Sequence, residues 1–273
     1  MTTLNIDGQA FKRRAQIFRQ ALKLQETAAQ VFIQRIPARY LKRLYNSSED
    51  ETSHNDPVVK ALRDLDSTFS ECKDKLVDVS SSVESVIEAY SNDRRNGGAL
   101  LLAWKMGFDT DRRVMRPPRL VGIATLTTFV PSPSFSTDSA SMSSQDYSHL
   151  RRFHNESLLL DALCSKVPGV GRLLVMHAFS FTMLQKKLRL VALAYSSRRT
   201  TTPESKRIFE ALEFRAVIQR ANFRYQNMHG TWFAKEVSSV SLAGMAAEAV
   251  RVCSRKGMSE TTSDQWFLRC PNA

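Results

Sequence analysis

Residues 9 to 35 repeat apolar side chains at helical spacing. Phe11, Phe18, Leu22 and Val31 share one broad face, with Ile17, Ala21 and Phe32 beside them. That period predicts an amphipathic helix. Pro37 interrupts it, and a second short helix is expected from Pro37 to Tyr45, because proline fits a first helical turn. Residues 47 to 56 are polar and aperiodic, which predicts a loop. From Pro57 to Tyr90 the apolar positions Val58, Val59, Leu62, Leu65, Phe69, Leu76, Val83, Val86 and Ile87 predict one or two further amphipathic helices.

The pattern changes after Asn96-Gly97-Gly98, a turn signal. Residues 99 to 106 form an apolar run and residues 120 to 130 a β-branched one. They predict two strands of a hairpin joined by a polar turn at 107 to 118 with Pro117-Pro118. Eight serines between 131 and 149 predict a low-complexity surface loop. Beyond it lie a third strand (157 to 164), a Pro-Gly turn, a helix (171 to 187) and a fourth strand (188 to 195). A helix N-capped by Thr202 with Pro203 at its first position is expected to run to Leu212. Residues 214 to 219 and 231 to 237 predict a terminal hairpin, and 240 to 253 a last helix before a polar tail. Strands alternating with helices indicate an α/β protein with a central mixed sheet. The chain thus divides into a helical N-terminal region (1 to 97), a core (98 to 237) and a C-terminal helix and tail (238 to 273).

Composition narrows the function. With 42% hydrophobic and 24% charged residues, the 273-residue chain reads as globular. No apolar run reaches the length of a membrane span, and the N-terminus lacks the apolar core of a signal peptide. Cys72, Cys164, Cys253 and Cys270 form no Cys-x-x-Cys pair, so they read as free thiols in a reducing, intracellular setting (cytoplasm or nucleus), with no metal site. The net charge of +12 is unevenly placed. Residues 1 to 46 carry nine Lys/Arg against two acids, and residues 47 to 92 carry eleven acids against four bases. Lys12, Arg13, Arg14 and Arg19 on the first helix offer a surface to a nucleic acid or an acidic partner. His177 shares a face with Leu174, Phe181 and Leu184 and reads as a packed helix residue. No Pro-Cys-x-x-Cys follows His154-Asn155-Glu156, which excludes a zinc deaminase. Gly-x-Ser-x-Gly is absent as well.

The informative segment is Lys166-Val167-Pro168-Gly169-Val170-Gly171-Arg172, between a strand and a helix. Glycines allow close approach of a ligand to the backbone, and the helix that follows presents its first-turn N–H groups and positive dipole end. Together they suit a diphosphate, with Arg172 as an added charge. A Walker A loop lacks its Gly-Lys-Ser/Thr here, and a dinucleotide fingerprint needs glycine where Leu174 stands. The segment resembles the acyl-CoA loop of GNAT acetyltransferases: a basic or amide residue, two residues, Gly, one residue, then Gly or Ala. The order hairpin, strand, glycine turn, helix, strand, helix follows the same family. The segment from Ser205 to Phe214 resembles its second cofactor-side motif, with Phe209 at the usual Tyr and Glu213 at the usual Gly. Ile36 to Leu44 resembles the short second helix of some protein acetyltransferases, which makes 47 to 97 an insertion.

This resemblance, over about half the chain, implies a GNAT-like central mixed β-sheet flanked by helices, with a helical N-terminal region and a short C-terminal helix. It implies acetyl-CoA as co-substrate and transfer to a primary amine, whether a protein lysine, an N-terminus or a small polyamine. Strands 157 to 164 and 188 to 195 are expected to splay around the pantetheine arm. The arm is expected to bond backbone near Leu163, Cys164 and Ser165. The turn Lys166, Val167, Pro168, Gly169, Val170, Gly171 and Arg172 is expected to hold the diphosphate, with Ser205 and Phe209 nearby. Candidate bases are Glu156 and Asp161, an acid inside an apolar strand. Tyr195 is the candidate proton donor, because Phe209 has no proton to give. Two other readings stay open: a CoA-binding regulatory module without catalysis, and a basic nucleic-acid-binding protein.

Overall fold

A computed structural model describes residues 30–47, 56–70, 79–92, 98–109, 114–129, 144–154, 156–196, 204–225 and 228–237, and six positions between Gln16 and Glu26. The order is β1 (Val31–Pro37), α1 (Ala38–Ser47), α2 (Pro57–Arg63), α3 (Leu65–Thr68), α4 (Val79–Asn92), β2 (Ala99–Asp109), β3 (Val114–Thr128), α5 (Ser144–Arg151), β4 (Ser157–Ser165), α6 (Val170–Leu184), β5 (Arg189–Ser196), α7 (Glu204–Ala211), β6 (Arg215–Tyr225) and β7 (Met228–Glu236). Seven strands form one sheet in the order β1-β2-β3-β4-β5-β7-β6. All neighbours are antiparallel except β4 and β5, which run parallel through the α6 crossover.

The helices cover both faces, as burial of the sheet requires. On one face α6 buries Leu173, Leu174, Phe179 and Phe181 against Leu101, Ala124, Leu158 and Leu190. On the other, Leu41 of α1, Leu62 of α2, Leu65 of α3 and Val83 and Val86 of α4 pack on Leu100, Leu102 and Ile123. Alternate residues of β2 thus serve opposite cores, the period-two reading of a strand buried on both sides. The start of α2 is set locally. Asp56 accepts from the N–H groups of Val58 (2.7 Å) and Val59 (3.2 Å), and Pro57 opens the helix.

Several expectations need correction. Residues 31 to 35 are strand, not helix. They pair with β2 from Val31↔Lys105 to Pro37↔Ala99. Val31-Phe32-Ile33-Gln34-Arg35-Ile36 fits either period, and the open edge of β2 decides in favour of the strand. The Ile33 N–H donates to Glu26 Oε1 at 2.9 Å, which occupies a donor of this edge strand. The expected polar turn at 107 to 118 is largely strand, because β2 runs to Asp109 and β3 begins at Val114. The serine-rich stretch ends in α5, whose Leu150 is buried beside Phe129 and Trp232. Cys164 is disulfide-bonded, and its partner lies outside the described residues. Distance along the chain says nothing about distance in the fold, so the free-thiol reading fails here, and with it the basis for a reducing compartment. The helix expected at 240 to 253, the caps Thr202 and Pro203, and Lys12, Arg13 and Arg14 lie outside the described residues. Among the described residues no helix is long and apolar enough to cross a membrane.

Candidate functional site

The parallel pair β4–β5 is joined only from Ser157↔Arg189 to Leu160↔Ala192. Beyond those residues β4 continues to Ser165 and β5 to Ser196 without pairing to each other. Each strand keeps its outer partner: β4 stays on β3 as far as Gly122↔Ser165, and β5 stays on β7 as far as Ser196↔His229. The sheet therefore opens into a gap with two backbone edges. Asp161, Ala162, Leu163 and Cys164 are partly exposed along it, although they sit at the centre of a seven-stranded sheet.

A bulge marks where the gap begins. Leu126 pairs with Leu160 and Thr125 with Ala162, which leaves Asp161 as the extra residue of β4. A bulge bends its strand and raises the local twist, which accounts for the parting from β5 immediately after Leu160. The Ala162 N–H donates to Thr125 Oγ1 at 3.0 Å.

At the far end of β4 the chain turns through Lys166-Val167-Pro168-Gly169 into α6. Lys166 N–H donates to Val121 O (2.8 Å) and Val170 N–H to Val167 O (3.1 Å), which fix the turn against β3. Gly169 is the N-cap of α6 at φ +85°, a conformation that favours glycine and, among residues with a Cβ, tolerates Asn and Asp best. A Cβ built there meets nothing within 4 Å, so the space before the helix is open. Gly171 differs. A Cβ there lies 3.1 Å from Ser165 Oγ and 3.2 Å from Ile208 Cδ1, so this glycine brings α7 onto the first turn of α6. Helical geometry leaves first-turn amides without carbonyl partners in their own helix. Those of α6 start at the mouth of the gap.

The acids separate. Glu156 lies outside the gap, at the joined end of the two strands. Its Oε2 is 3.2 Å from Arg189 Nη1, while Glu236 Oε1 is 3.2 Å from Arg189 Nε. Five residues of strand place it roughly 15 Å from Asp161. Asp161 stands at the apex, on the face covered by α4. Ser82 Oγ donates to its Oδ2 at 3.2 Å and Ser85 Oγ at 3.4 Å, and Ser82 Oγ also bonds Thr125 Oγ1. Burial pushes the Asp161 carboxyl up from its ordinary value, and the two serine hydroxyls pull against that rise. The sequence marked Asp161 as an acid among apolar residues. It gave no sign of Ser82, Ser85 or Thr125, which lie on another helix and strand and meet Asp161 only in the fold.

The remaining candidates fall as follows. Leu163 leans on the α6 core and Cys164 on the opposite one, so both backbones border the gap. Lys166 is exposed, with its Nζ 5.6 Å from the centre of the Phe69 ring. Ser205 is half-buried in the first turn of α7. Phe209 is buried, with its ring 5.3 Å from Phe214 and 5.5 Å from Phe233. It supports α7 from the core side and does not line the gap. Tyr195 pairs with Gly230 on the β5 edge, and its side chain lies outside the described residues. Glu213 at φ +59° supplies the left-handed turn after α7 that glycine usually makes. The buried Lys235 Nζ bonds Leu212 O there at 2.6 Å and lies 3.7 Å from Glu213. His177 is partly buried on α6, with Nε2 3.2 Å from Glu26 Oε1.

Strand order, the single parallel pair and its divergence beside a glycine turn make a GNAT-like mixed α/β sheet flanked by helices. No protein-family model matches the sequence, and no curated protein matches it. Solved structures similar in shape include a Desulfovibrio desulfuricans protein placed in the GNAT family of acetyltransferases (14% identity, 76% of this chain and 99% of that one, TM-score 0.39). Others are a ribosomal-protein-alanine N-acetyltransferase from Brucella melitensis (14%, 76% and 99%, 0.38) and yncA from Salmonella typhimurium with its cofactor acetyl-CoA (11%, 77% and 95%, 0.40).

Proposed function

We propose that the chain is an acetyl-CoA-dependent N-acetyltransferase that passes the acetyl group to a primary amine by direct attack. The observation that carries this reading is the end of β4–β5 pairing at Leu160 and Ala192, while β4 itself runs on to Ser165 at the glycine turn. A gap lined by free backbone edges suits an extended arm bearing amides, which adds to β4 as a strand would. The residues present fit such a co-substrate. Gly169 leaves open space before α6 for a diphosphate, and the first-turn amides of Gly171 and Arg172 with the helix dipole supply its counter-charge. Leu163, Cys164 and Ser165 offer the backbone groups.

The bound thioester supplies an acyl carbon and a thiol leaving group. The protein's part is placement and proton transfer. The gap holds the acyl carbon near the bulge, and the rate gain comes mainly from holding both reactants in line. Asp161 takes a proton from the substrate ammonium, the freed nitrogen bonds to the acyl carbon, the C–S bond breaks, and the nitrogen sheds its second proton to water to leave the amide. Burial that raises a carboxyl brings it nearer the working range of a base. Protonation of the departing sulfur falls to water or to Tyr195, since Phe209 has no proton and faces the core. Glu156, tied to Arg189 at the closed end, serves the fold.

Amine-dependent thiol release from acetyl-CoA, measured over lysine peptides, free N-terminal peptides and polyamines, tests the proposal. Asp161→Asn is expected to lower kcat by about 100-fold or more while CoA still binds. Phe209 favours a second reading, a CoA-binding module without turnover. Binding with no thiol release across the whole panel decides for that reading.

A further inference from the structure

The chain of hydroxyls behind Asp161 has a direction, and the backbone sets it. A hydroxyl holds one hydrogen. The Ala162 N–H, which can only donate, gives its hydrogen to Thr125 Oγ1. Ser82 spends its own hydrogen on Asp161 Oδ2. The bond between Ser82 and Thr125 is then made with the hydrogen of Thr125. The sequence of donors runs from Ala162 N–H to Thr125, to Ser82, to the carboxylate. Thr125 and Ser82 are both buried, so water does not compete for either hydroxyl.

We propose that Thr125 is a positioning residue for proton abstraction. It orients Ser82 so that a donor always faces the Asp161 carboxylate, although Thr125 itself does not touch Asp161. The role rests on the reading of Asp161 as the base. Its physical content is an asymmetry between two states. With Asp161 ionised, every link has one donor and one acceptor. If protonated Asp161 donates to Ser82, Ser82 must turn its hydrogen to Thr125. Thr125 then accepts twice and has to place its own hydrogen elsewhere. The Ala162 amide, held in place by the bulge, thus biases the chain toward the ionised form and opposes the cost of burial. Ser85 donates to the same oxygen without passing through Thr125.

No charged group substitutes for this chain among the described residues. On α4 the acids Glu84 and Glu88 are exposed. On β3 the nearest charge in sequence is Arg119, and on β5 it is Arg189 at the closed end. On β4 itself Glu156 and Lys166 stand at the two ends. Burial pushes the Asp161 carboxyl up, and the hydroxyls of Ser82 and Ser85 pull it down.

The test is a titration of the Asp161 carboxyl carbon by NMR on the full chain, read without reference to turnover. Thr125→Val is expected to move the midpoint upward, and Thr125→Ser to return it to the parent value. In a Ser82→Ala background Thr125→Val is expected to add nothing, because the link it acts through is gone. An unchanged midpoint in Thr125→Val, or an equal further shift in the Ser82→Ala background, overturns the proposal. If Thr125→Val does not fold, Thr125→Ala breaks the same link: an upward shift supports the positioning role and an unchanged midpoint overturns it. The acidic limb of kcat/KM against pH is expected to follow the NMR midpoint in each variant. Midpoints that move in a chain without acetyl transfer keep the oriented hydroxyls, remove the role in proton abstraction and count against the function proposed above, not against the geometry.

Discussion

Gly98 has no room for a methyl group. A Cβ there falls 1.8 Å from Leu126 O and 2.8 Å from Leu126 C, both backbone atoms of the neighbouring strand, and the Gly98 carbonyl accepts from Ala38 N–H at 2.9 Å. Gly98→Ala therefore forces β2 and β3 apart where β2 begins. The expected loss is about 3 kcal/mol, the upper end of an overpacking cost, read as a lowered midpoint in chemical unfolding. An unchanged midpoint contradicts the packing described. The sequence marked Gly98 only as part of a turn. Its closeness to a neighbouring backbone comes from strand pairing, which no local pattern contains. Gly169 and Gly171 were legible as a pair, but not their division of labour. One glycine meets a conformational need before open space, and the other lets two helices touch.

At the scale of elements, the bulge in β4 joins fold to chemistry, and its acid leaves a thermodynamic trace. Burial raises Asp161 above its ordinary 3.8 in the native state. The native state therefore binds the proton more tightly than the unfolded chain does. That contribution to stability is complete below 3.8 and is lost as pH rises through the raised value. Asp161→Asn removes the titration and keeps an acceptor for Ser82 and Ser85. The difference in unfolding free energy, variant minus parent, is expected to grow more positive as pH climbs from 3.8 until Asp161 is ionised, then to level off. A difference independent of pH means that Asp161 is not held in a carboxylate-hostile site. The strands of the core were legible because their apolar runs are buried on both faces. β1 was not, because six residues carry either period and only the edge of β2 chooses. α5 was hidden by its serines. Its buried Leu150 anchors it to a core of Phe129, Val191, Trp232 and Ala234. The α4 contact with Asp161 was hidden for another reason. Small hydroxyl residues on a helix have no signature until an acid is placed against them.

Over the whole molecule, a sheet that is continuous on its outer partners is open at its middle. β3 holds β4 and β7 holds β5, so the gap adds no unpaired edge on the outside of the fold and leaves two facing each other inside. The glycine turn and the α6 terminus face the same opening as the Asp161 bulge, at opposite ends of one half-strand. The segment from 47 to 97 supplies α2, α3 and α4 as cover for one sheet face, together with Leu41 of α1, and supplies the serine hydroxyls behind Asp161.

The most direct measurement is calorimetric titration of CoA into the parent, Gly169→Asp and Gly169→Asn. Asn and Asp both tolerate a positive φ, so the two variants fold alike and differ in one charge. The parent is expected to bind CoA. Gly169→Asn is expected to bind more weakly, because its side chain occupies the open space. Gly169→Asp is expected to bind at least about 10-fold more weakly than Gly169→Asn, because it sets a carboxylate against the diphosphate at the helix terminus. No heat of binding in the parent, or equal affinity in the two variants, contradicts a diphosphate seated at the start of α6.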